Sequence, residues 1–111
     1  MKKLLHIIAS PRADESRVLS ISRAFIERVR SRFECTVTDL DLFQTPLPVV
    51  TNDIVTVKRQ LMAGVAVDKA RHEAWKKVED QIRHFLAADA YVVATPMWNF
   101  SIPYVLKQYL D

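Results

Sequence analysis

The sequence predicts an α/β fold in which a doubly wound parallel sheet is covered by helices on both faces. Apolar runs without polar alternation, at residues 4–9 and 91–93, are typical of parallel strands that are buried on both sides. Segments with apolar residues at helical spacing separate these runs. The predicted order is β-α-β-α-β-α, which implies right-handed crossovers. A length of 111 residues and a half-apolar composition fit one domain with a real core.

The beginning of the chain predicts a strand, a helix and a second strand. Residues 4–9 form the central strand, because only His6 interrupts the apolar run and Ser-Pro-Arg follows it. Ser16 is placed to cap the next helix, which continues to Phe33. The predicted apolar face of this helix consists of Val18, Ile21, Phe25 and Val29. Residues 34–40 alternate between two sets of side chains, which indicates an edge strand.

The middle of the chain predicts a loop and a short helix. Residues 42–50 contain prolines and show no periodicity, so we expect a loop that wraps the sheet edge and packs Phe43 and Leu47. Asn52 is a suitable N-cap for a short helix. This helix is expected to stop at Gly64, the only glycine in the chain.

The last part of the chain predicts a longer helix, a strand and a final helix. The longer helix spans residues 67–88. Its apolar face consists of Ala70, Ala74, Trp75, Val78, Ile82, Phe85 and Leu86. The strand that follows ends at Pro96, which has no N–H to donate to a sheet. The final helix is expected to start near Ser101 as N-cap, with Pro103 in its first turn.

Composition and charge argue against several classes of protein. The single Cys35 excludes an intrachain disulfide, and no Cys/His cluster has the spacing of zinc ligands. His6 is expected to be a packed, neutral imidazole. The N-terminal apolar run of about five residues is too short for a signal peptide, and nothing approaches the roughly 18 apolar residues of a membrane span. The net charge is only +3, and the Lys and Arg residues are interleaved with Glu and Asp. This pattern argues against a nucleic-acid surface. We therefore expect a cytoplasmic protein that binds neither membrane nor nucleic acid.

The loop after the first strand is a candidate phosphate site. It offers Ser10, Pro11, Arg12 and Ser16 at the start of a helix, where unpaired N–H groups and the helix dipole favour an anion. Neither a G-x-G-x-x-G fingerprint nor a P-loop is present. Hydroxyls and one arginine suit the single terminal phosphate of a mononucleotide such as FMN better than a pyrophosphate. The alternative is that Ser10 only forms a turn and Ser16 only caps a helix.

The loop after the third strand is a candidate site for a flat aromatic ligand. It carries Met97, Trp98, Asn99 and Phe100. Both loops follow the carboxyl ends of strands that we expect to be neighbours, so one extended ligand can have its phosphate at the first loop and its ring at the second. The alternatives are that the aromatic residues belong to a core or an interface, and that Asn99 is only a turn residue.

Three motifs give the sequence a resemblance to a known family. They are A-S-P-R-x-x-x-S, D-L-x-x-x-x-L-P and P-M-W-N-F-S-I-P-x-x-L-K-x-Y-x-D. Together they resemble FMN-dependent NADH-azoreductases of the flavodoxin-like quinone reductase superfamily over residues 1–111. The resemblance implies a three-layer α/β/α, flavodoxin-like fold, with FMN phosphate at Ser10, Ser16, Arg17 and Val18 and the flavin ring at residues 97–100. The family often has S-x-S where this chain has Ser16-Arg17-Val18, so Val18 cannot supply the second hydroxyl.

The resemblance also implies an activity and an assembly. It implies a ping-pong reaction in which NADH or NADPH reduces FMN and the reduced flavin passes electrons to a quinone or azo compound. No catalytic triad is expected, and Asp39 and Asp41 are expected to be structural. The family domain is a homodimer with its flavin sites at the subunit interface. The family domain has the strand order 2-1-3-4-5, whereas this chain supplies three strands and the following helix and lacks the later glycine-containing loop. The third strand is therefore expected to be an edge covered by another chain. The alternative function is a non-catalytic, flavodoxin-like binding module, either a fragment or an electron carrier. The basic charge argues against an electron carrier.

Overall fold

The computed structural model describes residues 2–12, 15–49, 51–67 and 69–111. Its elements are β1 (Lys2–Ile8), α1 (Arg17–Arg32), β2 (Cys35–Asp41), α2 (Asn52–Met62), α3 (Lys69–Leu86), β3 (Ala90–Ala94) and α4 (Tyr104–Leu110). The chain divides into two compact units. One comprises Met1–Leu47 and Ala87–Asp111, and the other comprises Pro48–Leu86.

The sheet belongs to the first unit and has the order β2-β1-β3, with both pairings parallel. β1 is the central strand and β2 is an edge strand, as the sequence predicts. In register, His6 lies opposite Asp39 of β2 and Val92 of β3. The N–H of Ala9 donates to the carbonyl of Ala94 at 2.8 Å, which extends the β1–β3 pairing beyond both strands. The chain therefore leaves β1 and β3 at adjacent positions on one edge of the sheet.

The core of the first unit forms around β1. Four of its apolar side chains are buried, which contributes about 1.5–3 kcal/mol for each one. They are Leu4, Leu5, Ile7 and Ile8. Ile8 packs with Leu19 of α1 and Ala94 of β3, and the half-buried Val18 lies against this cluster. α1 is therefore fixed against the carboxyl ends of β1 and β3.

α1 begins and ends as its sequence predicts. The N–H of Leu19 donates to Oγ of Ser16 at 3.1 Å, so Ser16 is the N-cap. Arg30 and Arg32 lie in the last turn, where cations stabilise the negative end of the helix dipole. The N–H of Phe33 bonds to the last turn as C-cap.

The apolar face predicted for α1 is wrong in part. Val18 and Val29 are half-buried as expected, but Ile21 is 71% exposed and Phe25 is also exposed. The buried residues are Leu19, Ser22 and Ile26. The buried face is centred on a serine because Ser22 bonds to a histidine in β1. A search for apolar periodicity passes over such a face.

The loop after β2 packs partly inward. The N–H of Leu42 donates to the carbonyl of Ile8 at 2.9 Å, and its side chain is buried. Phe43 and Leu47 are half-buried, which agrees with the predicted packing. The predicted end of this loop, Val50, lies outside the described residues.

In the second unit, the predicted cap of α2 is displaced by one residue. Thr51 has an extended backbone, and its Oγ1 accepts from the N–H of Ile54 at 3.4 Å. Thr51 is therefore the N-cap, and Asn52 is the first helical residue. Gly64 has φ +74° and follows the end of the helix, as predicted. α2 buries Ile54 and Val57.

α3 is shorter than the predicted range of 67–88, and its apolar face is less buried than expected. No side chain of α3 is fully buried, although the helix packs against α2. Ile82 and Leu86 are exposed. Within the helix, Nε1 of Trp75 donates to Oε1 of Glu79 at 2.6 Å. The amphipathic pattern therefore identifies the helix correctly and overestimates its burial.

At the end of the chain, one expectation is confirmed and two are wrong. β3 forms the second edge of the sheet, as expected. It is not buried on both faces, because Tyr91 and Val93, which share one face of the strand, are exposed. α4 begins at Tyr104, after Pro103 as N-cap. Ser101 cannot start a helix because both of its backbone groups bond to Trp98.

Further features of the described residues concern membranes, metal ions and one tyrosine. None of the helices among these residues is long and apolar enough to cross a membrane. No group of three or more His, Cys, Asp and Glu side chains among them is arranged to hold a metal ion. Burial raises the pKa of Tyr109, and the neighbouring Tyr91 raises it further. The Tyr109 hydroxyl therefore stays protonated through the neutral range.

We predict that the edge of β3 drives self-association, because an exposed apolar edge pairs with other chains and a lysine on it opposes such pairing. At each protein concentration, the average mass measured by light scattering should be smaller for Val93→Lys than for the wild type. Val55→Lys is the matched control, because Val55 is 39% exposed on a helix and Val93 is 45% exposed on the edge strand. Unchanged association of Val93→Lys would show that the edge is not the contact.

Candidate functional site

The candidate site lies at the edge of the sheet where β1 and β3 end. The first loop, of which the structure describes residues 10–12 and 15–16, follows β1, and the second loop, residues 95–103, follows β3. The Ala9–Ala94 hydrogen bond brings the beginnings of these loops together. The expectation that the two strands are neighbours is therefore confirmed, and both candidate loops emerge from one edge.

The first loop presents hydroxyls at a helix N-terminus. Ser10 and Ser16 are both buried. Because Oγ of Ser16 accepts from the N–H of Leu19, the hydroxyl proton of Ser16 can still be donated to a ligand. The N–H groups of Arg17 and Val18 belong to the first turn, where a helix offers no intrahelical acceptor. No acidic residue lies in this turn, so the arrangement suits an anion.

The cations near the first loop differ in their surroundings. The side chain of Arg17 is exposed at the start of α1. Arg12 forms a long pair with Glu15 at 3.8 Å, and both side chains are well exposed. The side chain of Val18 packs on the Ile8 cluster, so its backbone N–H is the group it can offer to a ligand.

The second loop contains a tight turn with unusual backbone angles. Trp98 and Ser101 exchange two backbone hydrogen bonds of 2.8 Å each, and the residues between them are Asn99 at φ 49° and Phe100 at φ 62°. Positive φ at both central positions is characteristic of a type I′ turn. Asparagine tolerates this region, whereas a bulky residue such as Phe100 is strained there by about 1–2 kcal/mol.

The outer surface of this turn is apolar. Phe100 is 94% exposed, Met97 is largely exposed, and Trp98 is partly exposed. An aromatic side chain that is held in water on a strained backbone has no packing reason for its position. Strain of this kind concentrates at ligand sites, and an exposed aromatic surface suits stacking on a flat ring.

Aromatic rings from two other elements support the second loop. The ring of Phe43 lies 6.1 Å from that of Trp98 and 6.1 Å from that of Tyr104, edge-on to the latter. The N–H of Phe43 is held by Oδ1 of Asp41 at 3.0 Å. From the sequence, Phe43 is expected only to pack at the sheet edge, and no role is expected for Tyr104. The position of Phe43 directly after a strand-end Asp-Leu pair was the available signal.

The two loops together fit one kind of ligand. Hydroxyls, free helix N–H groups and Arg17 suit an anionic end, while the turn at residues 97–100 suits a flat aromatic end. The donor set of the first loop matches a single phosphate and contains no carboxylate in the helical turn that would repel it. The residues present therefore fit an aromatic mononucleotide.

Comparison with known proteins agrees with this architecture. The family model described as "Flavodoxin-like fold" matches residues 2–111. An FMN-dependent NADH:quinone oxidoreductase of Nitratidesulfovibrio vulgaris is 38% identical over 112 aligned positions, which cover 100% of this chain and 54% of that protein. FMN-dependent NADH:quinone oxidoreductase 3 of Pseudomonas fluorescens is also 38% identical, and the match covers 100% of this chain and 52% of the relative.

A solved structure gives the same result. The crystal structure of an azoreductase from Bacillus anthracis superposes with a TM-score of 0.87 at 29% identity, covering 100% of this chain and 54% of that one. The chain therefore spans about half the length of the curated relatives it matches.

We predict that Phe100→Gly raises the free energy of unfolding by about 1 kcal/mol, because glycine adopts positive φ without the steric cost of a side chain. Urea denaturation would measure the change. Phe33→Gly is the control, because Phe33 is also exposed but has φ −132°. The control should lose stability. A loss in Phe100→Gly as well would mean that the ring of Phe100 contributes more by packing than the backbone strain costs.

Proposed function

The chain belongs to the flavodoxin-like fold family, and on this premise we propose that it binds FMN and takes part in electron transfer from NADH or NADPH to a quinone or azo compound. The observation that carries the proposal is that the buried hydroxyls of the first loop and the exposed aromatic turn of the second loop emerge from one edge of the sheet. The relatives named above are FMN-dependent NADH:quinone oxidoreductases, which supports the same cofactor and substrates.

The first loop holds the phosphate of FMN in this proposal. Ser10 and Ser16 donate their hydroxyl protons, the N–H groups of Arg17 and Val18 donate along the helix axis, and the guanidinium of Arg17 contributes charge. Hydrogen bonds to an ionised group are worth about 1.5–3 kcal/mol each. The absence of S-x-S leaves Ser16 and the backbone as the donors at the start of the helix.

The second loop holds the flavin ring. Met97, Trp98 and Phe100 provide apolar surface, and the amide of Asn99 can bond to the polar edge of the ring. The contacts of Phe43 with Trp98 and Tyr104 fix the position of the indole. A rigid aromatic surface loses little conformational entropy on binding.

The protein orients the reactants and leaves the redox chemistry to the cofactor. Bound FMN supplies the acceptance of a hydride from the nicotinamide and the delivery of electrons to the acceptor. The face of the flavin that does not lie on the second loop would be open to the two substrates in turn, which suits a ping-pong order. No side chain in either loop is assigned the role of a nucleophile.

A second candidate function is flavin binding without turnover. The chain spans about half the length of its relatives, so a complete substrate site can require residues beyond these 111. We propose that the working form is a homodimer, because Tyr91 and Val93 leave an apolar edge exposed. The experiments below separate binding from turnover.

Replacing both serines of the first loop should weaken the binding of FMN much more than the binding of riboflavin. In the Ser10→Ala/Ser16→Ala variant, the loss of one or two hydrogen bonds to phosphate should lower FMN affinity by at least about tenfold. Quenching of flavin fluorescence measures both affinities. Ser31→Ala is the control, because Ser31 lies at the other end of α1 and bonds to the carbonyl of Arg28. Because riboflavin has no phosphate, the change in its affinity measures the effect of losing the Ser16 cap alone. Equal losses of affinity for both flavins would contradict the phosphate assignment.

Adding FMN should give a yellow protein that NADH bleaches without oxygen and that turns over menadione or an azo dye.

Trp98→Leu should lower the affinity for both flavins by about threefold to tenfold, because one stacked aromatic contributes about 0.5–1.5 kcal/mol. Trp75→Leu is the control on α3 and should bind both flavins normally. FMN binding without NADH oxidation would favour the binding module, and no binding of either flavin would contradict the proposed function.

A further inference from the structure

Hydrogen bonds link β2, β1 and α1, and through the backbone of Leu19 they lead to the start of the helix. Oδ1 of Asp39 lies 3.0 Å from Nδ1 of His6, and Nε2 of His6 lies 2.8 Å from Oγ of Ser22. Oγ of Ser22 also lies 3.0 Å from the carbonyl of Leu19. The N–H of Leu19 is in turn bound by Oγ of Ser16. These contacts therefore lead from the solvent-facing carboxylate of Asp39 to the candidate phosphate loop.

The order Ser–His–Asp resembles the connectivity of a hydrolase triad, but the location does not permit that chemistry. His6 is 1% exposed and Ser22 is 8% exposed. The Ser22 hydroxyl lies between α1 and β1 and faces the carbonyl of its own helix, so a substrate carbonyl has no approach to it. The network therefore acts on the structure around it.

The position of one proton depends on the charge of His6. The Asp39 carboxylate only accepts, so Nδ1 of His6 carries a proton. When His6 is neutral, Nε2 must accept, and Ser22 donates its only proton to the ring. When His6 is charged, Nε2 donates to Ser22, and the hydroxyl donates to the carbonyl of Leu19. When the ring is protonated, the hydrogen bond that the Ser22 hydroxyl donates thus changes its acceptor from His6 of β1 to the carbonyl of Leu19 in α1.

Few charged groups face His6. The register places Asp39 and Asp41 of β2 on its side of the sheet, and Oδ1 of Asp41 is bonded to the N–H of Phe43. On the same side, β3 contributes Ala90, Val92 and Ala94, and β1 contributes Leu4, Ile8 and, at its exposed start, the cation of Lys2. The buried face of α1 consists of Leu19, Ser22 and Ile26, with the cation of Arg23 adjacent in sequence. Asp39 is therefore the charged group in direct contact with the ring.

We propose that His6 is a positioning residue for the phosphate loop, so that its protonation strengthens FMN binding through Ser22 and the first turns of α1. This inference rests on the proposed function for its ligand. The charged state adds a hydrogen bond to the helix and a positive charge beneath the turn that meets the phosphate. Both effects favour an anion at the helix N-terminus.

NMR of the flavin-free protein tests the relay directly. The ring nitrogens of His6 and the amides of Leu19 and Ser20 should titrate with one shared midpoint. Asp39→Asn should change the responses of the ring and of the amides together, because one ring proton governs both. Ser22→Ala should abolish the response of the amides, because it removes the hydroxyl that connects the ring to the helix. Ser31→Ala, which removes a similar serine–carbonyl bond near the end of α1, should change neither.

The ratio of FMN to riboflavin affinity tests the consequence for the ligand. Below the His6 midpoint, this ratio should be on the order of threefold larger in the wild type than in Ser22→Ala, and the difference should vanish above the midpoint. The ionisation of the FMN phosphate also changes with pH, but it affects the wild type and Ser22→Ala equally. It therefore cancels when the two proteins are compared at the same pH.

Two outcomes would overturn the relay. They are amides of α1 that do not respond when the ring changes its protonation state, and a Ser22→Ala variant that keeps the full pH dependence of the affinity ratio. If neither flavin binds, the proposed function and the role in ligand affinity fail together. The amide shifts still decide whether His6 controls the first turns of α1. If Ser22→Ala does not fold, the paired shifts in Asp39→Asn decide the relay.

Discussion

The parallel pairing of β1 with both of its neighbours is the constraint on which the site depends. β1 is buried because it lies between β2 and β3, and parallel pairing places all carboxyl ends at one edge. The hydrogen bond from Ala9 to Ala94 carries this pairing one residue past the strands. Two loops far apart in sequence, one rich in hydroxyls and one aromatic, therefore start side by side. The chemistry assigned to each loop depends on this arrangement more than on either loop alone.

The sequence predicts those features whose signals lie within a few residues. The apolar run of β1, the Ser16 cap and the glycine after α2 are of this kind, and the structure confirms each. The errors occur where a distant partner decides. The buried face of α1 is set by Ser22, whose partner His6 lies 16 residues earlier. Ser101 was expected to cap a helix, but its backbone is paired with Trp98. Periodicity and capping rules contain no information about such partners.

The candidate site shows the same division. The residue types of both loops are visible in the sequence, and so is the expectation that they meet. The positive φ of Asn99 and Phe100 is not visible, because a phenylalanine at the second central position of a type I′ turn runs against the usual preference for glycine. The strain is offset by the backbone bonds between Trp98 and Ser101 and by the contact of Trp98 with Phe43. The shape of the loop is thus determined by a residue of another loop.

A buried histidine in an apolar strand also has a consequence for register. A polar group that loses its hydrogen bonds on burial costs several kcal/mol, about 1–3 in mutational data. His6 avoids this cost because Asp39 lies directly opposite it and Ser22 lies above it. A slip of β1 by one residue would turn His6 to the other face of the sheet and leave Ser22 without the ring. The apolar residues on either side of His6 are similar in size and tolerate such a slip far better. The polar contact between three elements therefore selects the register that aligns the ends of β1 and β3, and with them the two loops of the site.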